Sequence, residues 1–227
     1  MSGEWINISA TGIDVRAWRA APQDARRGGV VVLQEIFGVN ANIREICNDF
    51  AEHGYEAIAP ALFERVAPGF ETLDVNDETM AKGRALVDAT PFDAALSDCQ
   101  ACVDDLAPSG KVFMAGFCYG GSLAWMSAQH LKGLSAISSF YGRLIPDHLD
   151  APLQVPLIAH FGKNDPSIPL EGVEKVMQAY PDVPVHLYEA GHSFMRKGAS
   201  YVEDAAKLAW LRTLQLFQRN SGAKEDV

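Results

Sequence analysis

The chain has 227 residues, 48% of them hydrophobic and 21% charged, and a formal net charge of −10. That length suits one large α/β domain or two small ones, and the composition is ordinary for a globular enzyme. An acidic surface repels nucleic acid and anionic membranes, so neither is an expected partner; no run approaches the roughly 20 apolar residues of a membrane span.

The opening MSGEWINISATG has no basic n-region and no apolar h-region, so it does not read as a signal peptide. Cys47, Cys99, Cys102 and Cys118 therefore read as free thiols in a cytoplasmic protein. Residues 4–20 alternate polar and apolar on either side of Thr11-Gly12, which predicts an antiparallel hairpin. Six near-continuous apolar runs follow, at 29–35, 56–63, 111–117, 134–142, 156–162 and 184–190. Such runs suit parallel strands covered on both faces.

Helical patterns separate them. Over 42–54, Ile43, Ile46, Cys47, Phe50 and Ala51 share one face and Gly54 stands where a C′ residue belongs. Over 90–110, Thr90 is the predicted N-cap, Pro91 opens the first turn and Asp93 takes the capping-box position. The apolar stripe of that helix includes Cys99 and Cys102. Their C-x-x-C spacing therefore reads as core packing, and two ligands without a second pair do not make a zinc site. A helix from about 200 to 219 is predicted to turn Leu208, Leu211, Leu214 and Phe217 inward. Alternating strands and helices predict a doubly wound, mostly parallel sheet with helices on both faces. With no repeat, low-complexity tract or linker, residues 1–227 read as one domain, with a frayed tail from about 220.

The chemistry centres on Gly116-Phe117-Cys118-Tyr119-Gly120, after the strand at 111–117 and before the helical run SLAWMSAQHL. This is the nucleophile elbow G-x-S-x-G with sulfur for oxygen. Small neighbours permit the sharp turn, and the helix N-terminus favours a thiolate. The competing reading is a small buried thiol. Asp165 follows the strand at 156–162 and His192 the strand at 184–190. That is the hydrolase order of nucleophile, acid and histidine, with each residue at the carboxyl edge of a parallel sheet. The other histidines lie within strands, at a helix end or in connections. No phosphate-cradling G-x-x-x-x-G-K-[ST] and no G-x-G-x-x-G occurs.

QEIFGVN at 34–40, GFCYGG at 116–121, GKNDP at 162–166 and AGHSFMR at 190–196 together resemble the dienelactone hydrolase family, from about residue 10 to residue 215. The resemblance implies the α/β-hydrolase fold and a Cys118–Asp165–His192 triad. It also implies that Glu35 sits near the thiol and takes its proton when substrate binds, which would spare the enzyme a permanent thiolate. Backbone N–H groups of Tyr119 and Ile36 would form the oxyanion hole. Arg65 and Arg196 would hold a substrate carboxylate, and Tyr141 would line the pocket. Phe117, Tyr119 and Arg143 depart from the family pattern, which bears on pocket shape and substrate.

The implied reaction is hydrolysis of dienelactone (4-carboxymethylenebut-2-en-4-olide) to maleylacetate through a cysteinyl thioester, in catabolism of chlorinated aromatic compounds. It requires no metal or organic cofactor, and the family likeness suggests a monomer acting on a small anionic lactone or ester. Two other readings stay open: a general small-ester carboxylesterase or thioesterase on the same fold, and a non-catalytic relative that binds a small ligand. A redox role for Cys118 would need a resolving thiol nearby.

Overall fold

The structure, a computed structural model, describes residues 3–10 and 12–222. Strands β1 (Glu4–Ala10) and β2 (Ile13–Ala20) form the expected antiparallel hairpin. Thr11, at its turn, lies outside the described residues. The remaining strands are β3 (Gly28–Leu33), β4 (Tyr55–Pro60), β5 (Val112–Phe117), β6 (Leu134–Phe140), β7 (Leu157–Gly162) and β8 (Val185–Tyr188). They join one sheet in the order β1-β2-β4-β3-β5-β6-β7-β8. From β4 to β8 every neighbouring pair is parallel.

The six α-helices of the described residues are α1 (Ala41–Glu52), α2 (Asp77–Ala89), α3 (Phe92–Leu106), α4 (Tyr119–His130), α5 (Leu170–Ala179) and α6 (Glu203–Arg219). Alternate strand residues face opposite sides of a sheet. Phe113 stacks on Phe217 of α6, whereas a Cβ on Gly116 would meet Ala124 of α4. The two helices therefore cover opposite faces of the sheet. Phe50 of α1 packs on both Trp210 and Phe217, which puts α1 beside α6. Strands β3 and β5, between these layers, are buried along their full length. No helix among the described residues is long and apolar enough to cross a membrane.

Three local expectations are corrected. Thr90 does not cap the helix that follows it. Its hydroxyl donates to the Leu86 carbonyl at 2.7 Å and closes α2, while α3 begins after Pro91 without a side-chain cap. Helix α6 turns Ala205, Ala206, Ala209, Thr213 and Phe217 inward and leaves Leu208 and Leu211 42% and 51% exposed. Small residues let the helix approach the sheet closely enough for Thr213 Oγ1 to pair with Ser138 Oγ at 2.7 Å. Helices α2 and α5 had no counterpart among the predicted elements. At the C-terminus, Asn220 caps α6, and residues 223–227 lie outside the described residues.

Candidate active site

Cys118 stands at the turn between β5 and α4 with φ +54 and ψ −112. A left-handed φ on a residue with a Cβ is strained and persists only where its surroundings enforce it. Here they do. The Cys118 N–H donates to the Phe140 carbonyl at 3.0 Å, and the Gly120 N–H to the Gln34 carbonyl at 2.9 Å. A Cβ on Gly120 would collide with the Leu33 carbonyl, and one on Gly121 with the Phe140 carbonyl. The two glycines thus let the turn sit against the ends of β3 and β6, with the sulfur half-exposed above the sheet.

The loops after β7 and β8 bring Asp165 and His192 to it. His192 Nε2 lies 3.1 Å from Cys118 Sγ, and Nδ1 lies 2.6 Å from Asp165 Oδ2. The other Asp165 oxygen accepts the Ser167 N–H at 2.8 Å, which fixes the buried carboxylate. Burial alone would push the imidazole down. The hydrogen bonds to Asp165 and Cys118, with the charges of both, outweigh it and raise the His192 pKa to about 10. The ring is therefore an imidazolium at neutral pH, facing sulfur on one side and carboxylate on the other.

Glu35 follows β3 and is buried. A buried carboxylate needs partners: Ser193 Oγ donates to its Oε1 at 2.8 Å and Arg196 lies 3.3 Å from Oε2. These bonds go to Ser193 and Arg196 rather than to the thiol. Gln34 ties the same corner together, because its side-chain amide donates to the Glu35 carbonyl and accepts the Leu62 N–H. Among the described residues, neither the Ile36 nor the Tyr119 N–H donates to another group, and both residues line the pocket above Cys118.

That pocket has apolar walls from Ile36, Phe37, Val75, Met80, Val87 and Leu144, and three guanidinium groups, from Arg84, Arg143 and Arg196. Arg65 is not among the lining residues, contrary to expectation. It pairs with Asp98 of α3, to which both Nε and a terminal nitrogen donate, and Asp98 is almost fully enclosed. The buried acid captures the cation before it can reach the pocket. Tyr141 is displaced too. It is 1% exposed with φ +39, and its ring stands edge-on to His192 at 5.2 Å, so it backs the imidazole instead of lining the pocket.

Sequence reading did not single out Gln34, Ser193 or Arg84. The signal for the first two was weak but present: a second polar residue closing an apolar strand, and a hydroxyl beside the candidate histidine. Arg84 depends on α2, whose start is marked by Asn76 and Thr79, which bond reciprocally as a capping box. Cys47, Cys99 and Cys102 are buried in the core, as their helix faces predicted. No group of three His, Cys, Asp or Glu side chains among the described residues could hold a metal ion.

Residues 15–221 match the model of the dienelactone hydrolase family. A carboxymethylenebutenolidase of Pseudomonas putida is 35% identical over 228 residues, covering 94% of this chain and 95% of that protein. A Synechocystis protein provisionally named carboxymethylenebutenolidase is 36% identical over 215 residues, covering 83% of this chain and 85% of its own. Among solved structures, a provisionally assigned dienelactone hydrolase of Klebsiella pneumoniae superposes with a TM-score of 0.84 at 31% identity. That superposition covers 96% of this chain and 98% of the other.

Proposed function

The chain belongs to the dienelactone hydrolase family and is a carboxylic ester or lactone hydrolase of the α/β-hydrolase fold, and from that premise we propose that it opens dienelactone to maleylacetate through a thioester on Cys118. The observation that carries this reading is His192 bridging Cys118 and Asp165 at 3.1 and 2.6 Å.

The substrate carboxylate docks on Arg196 and competes with Glu35 for the guanidinium, since a planar fork binds either carboxylate equally well. Glu35, released, turns toward the sulfur and takes the thiol proton, so that a thiolate stands beside the His192 imidazolium. The thiolate attacks the lactone carbonyl, and the Ile36 and Tyr119 amides hold the oxyanion that forms. When the tetrahedral intermediate collapses, the ring C–O bond breaks. The leaving enolate receives a proton from the imidazolium, which leaves neutral His192 to activate water. Water gives a proton to His192 and cleaves the thioester, and the released thiolate takes back the proton held by Glu35. Asp165 keeps the imidazole oriented and stabilises its cation in each half-reaction. Sulfur suits this chemistry because a thiolate is both a strong nucleophile and a good leaving group for an activated enol ester.

The chain acts, on this proposal, as a cytoplasmic single-domain monomer in catabolism of chlorinated aromatics. The apolar pocket walls and the withdrawal of Arg65 favour one competing reading, a general small-ester hydrolase. Turnover of cis- and trans-dienelactone beside neutral p-nitrophenyl acetate, followed by absorbance, decides between them. The proposal expects dienelactone to have the higher kcat/KM and Arg196→Ala to erase that preference. A higher kcat/KM for the neutral ester would overturn it.

A further inference from the structure

Of the three guanidinium groups in the pocket, Arg196 has Glu35 as partner. Arg84 and Arg143 have no carboxylate within ion-pair distance among the described residues. Elsewhere among the described residues Arg19, Arg26, Arg44 and Arg65 sit on carboxylates while Arg16, Arg27, Arg212 and Arg219 do not, in a chain with 29 acidic residues against 19 lysines and arginines. Two arginines without acidic partners in the pocket above the sulfur run against the average charge of the chain.

They reach the pocket from different elements. Arg84 comes from α2, and Arg143 from the loop after β6. The Arg143 loop is anchored. Tyr141 N–H donates to the His160 carbonyl at 2.7 Å, and Leu144 N–H to Ser122 Oγ at 3.0 Å. A Cβ on Gly142 would lie 2.6 Å from Ser122 N, so the loop rests directly on the first turn of α4. The base of Arg143 is thus fixed relative to Cys118, and only its long side chain is free to meet a ligand. Leu144, beside it, adds apolar wall. Asp88, the one acid lining the pocket, sits on α2 with Arg84 and pairs with neither free arginine.

Resting on the hydrolase reading above, with dienelactone a monoanionic member of the substrate class, we propose that Arg143 forms a second anion subsite, so that small esters or lactones with two acidic groups are turned over ahead of those with one. One carboxylate docks on Arg196, with Arg84 close to the same wall. The other takes the fork of Arg143, whose planar donors match a carboxylate bidentately. Apolar residues between the two cations hold the carbon skeleton that links the acids.

Three esters test the subsite: 4-nitrophenyl hydrogen succinate, with one carboxylate; its 3-carboxy-4-nitrophenyl analogue, with a carboxylate on each side of the ester; and the 4-nitrophenyl monoester of tricarballylate, with both on the acyl side. The wild type is expected to favour at least one dianion over the monoanion. Arg143→Gln should shrink that kcat/KM ratio about tenfold, the scale of one charge-assisted hydrogen bond, and Arg143→Lys should recover part of it. A ratio unchanged in Arg143→Gln, or no dianion preference in the wild type, would overturn the subsite. Calorimetric binding of the same esters to Cys118→Ala separates this inference from the hydrolase reading. Arg143-dependent preference for a dianion there, with no turnover by the wild type, refutes the hydrolase reading and keeps the subsite. Equal binding of mono- and dianion refutes the subsite whatever the turnover.

Discussion

Ser193 Oγ donates to Glu35 Oε1 at 2.8 Å, joining the residue beside the candidate base to the end of β3, 158 positions earlier in the chain. With Arg196 on the other oxygen, the carboxylate is held by two partners, neither of them the sulfur. Glu35→Ala should remove a proton acceptor and a competitor for Arg196 at once. kcat for carboxylated esters should then fall by about 100-fold, the usual contribution of a general base, while KM stays level or drops. Steady-state kinetics read the split. A raised KM with unchanged kcat would mean that Glu35 only shapes the pocket.

The imidazole of His192 has a pKa raised from 6.5 to about 10. The folded state therefore holds this proton more tightly than the unfolded chain does. Its contribution to stability is complete below pH 6.5, and it fades as pH rises toward and through 10. Thermal melts of the wild type and His192→Gln, taken from pH 6 to pH 10.5, should show a Tm gap that narrows steadily with rising pH. A gap that widens would contradict the charged pairing.

Arg65 and Asp98 predict a stability effect in place of a binding effect. Arg65→Met leaves a buried carboxylate unpaired, which destabilises by about 3–5 kcal/mol in comparable sites. Urea unfolding should show that loss, while the KM ratio between anionic and neutral esters stays at its wild-type value. An altered ratio in a variant of normal stability would return Arg65 to the binding site.

Gly83 is the one fully buried residue of α2. A Cβ there would lie 2.5 Å from the Ile36 carbonyl oxygen, on the residue whose N–H is assigned to the oxyanion. Gly83→Ala must move either the helix or Ile36. kcat should fall by about tenfold or more, since a misplaced oxyanion donor costs up to 10²–10³ in rate, with circular dichroism unchanged. Unaltered kcat would show that α2 yields without disturbing the peptide.

The positions of Cys118, Asp165 and His192 were legible because each follows a strand of the parallel sheet, and ends of parallel strands converge at one edge of a sheet. The direction of an individual cation was not legible. Arg65 follows β4 as expected, but Asp98, 33 residues on, decides where it points. Helix α2 escaped notice because it fully buries only Gly83, so its apolar spacing carries little signal. The inward face of α6 was misjudged for a related reason. Leucine outranks alanine as a core marker in sequence, whereas close packing on the sheet selected Ala205, Ala206 and Ala209.

In the proposed mechanism Cys118 carries the acyl group. Rapid acid quench after mixing with excess 4-nitrophenyl hydrogen succinate, followed by intact-protein and peptide mass spectrometry, tests it directly. One succinyl adduct is expected, confined to the peptide containing Cys118, labile to hydroxylamine and absent from Cys118→Ala, which should also lose hydrolysis while keeping its fold. An adduct on another residue, or full turnover by Cys118→Ala, would contradict it.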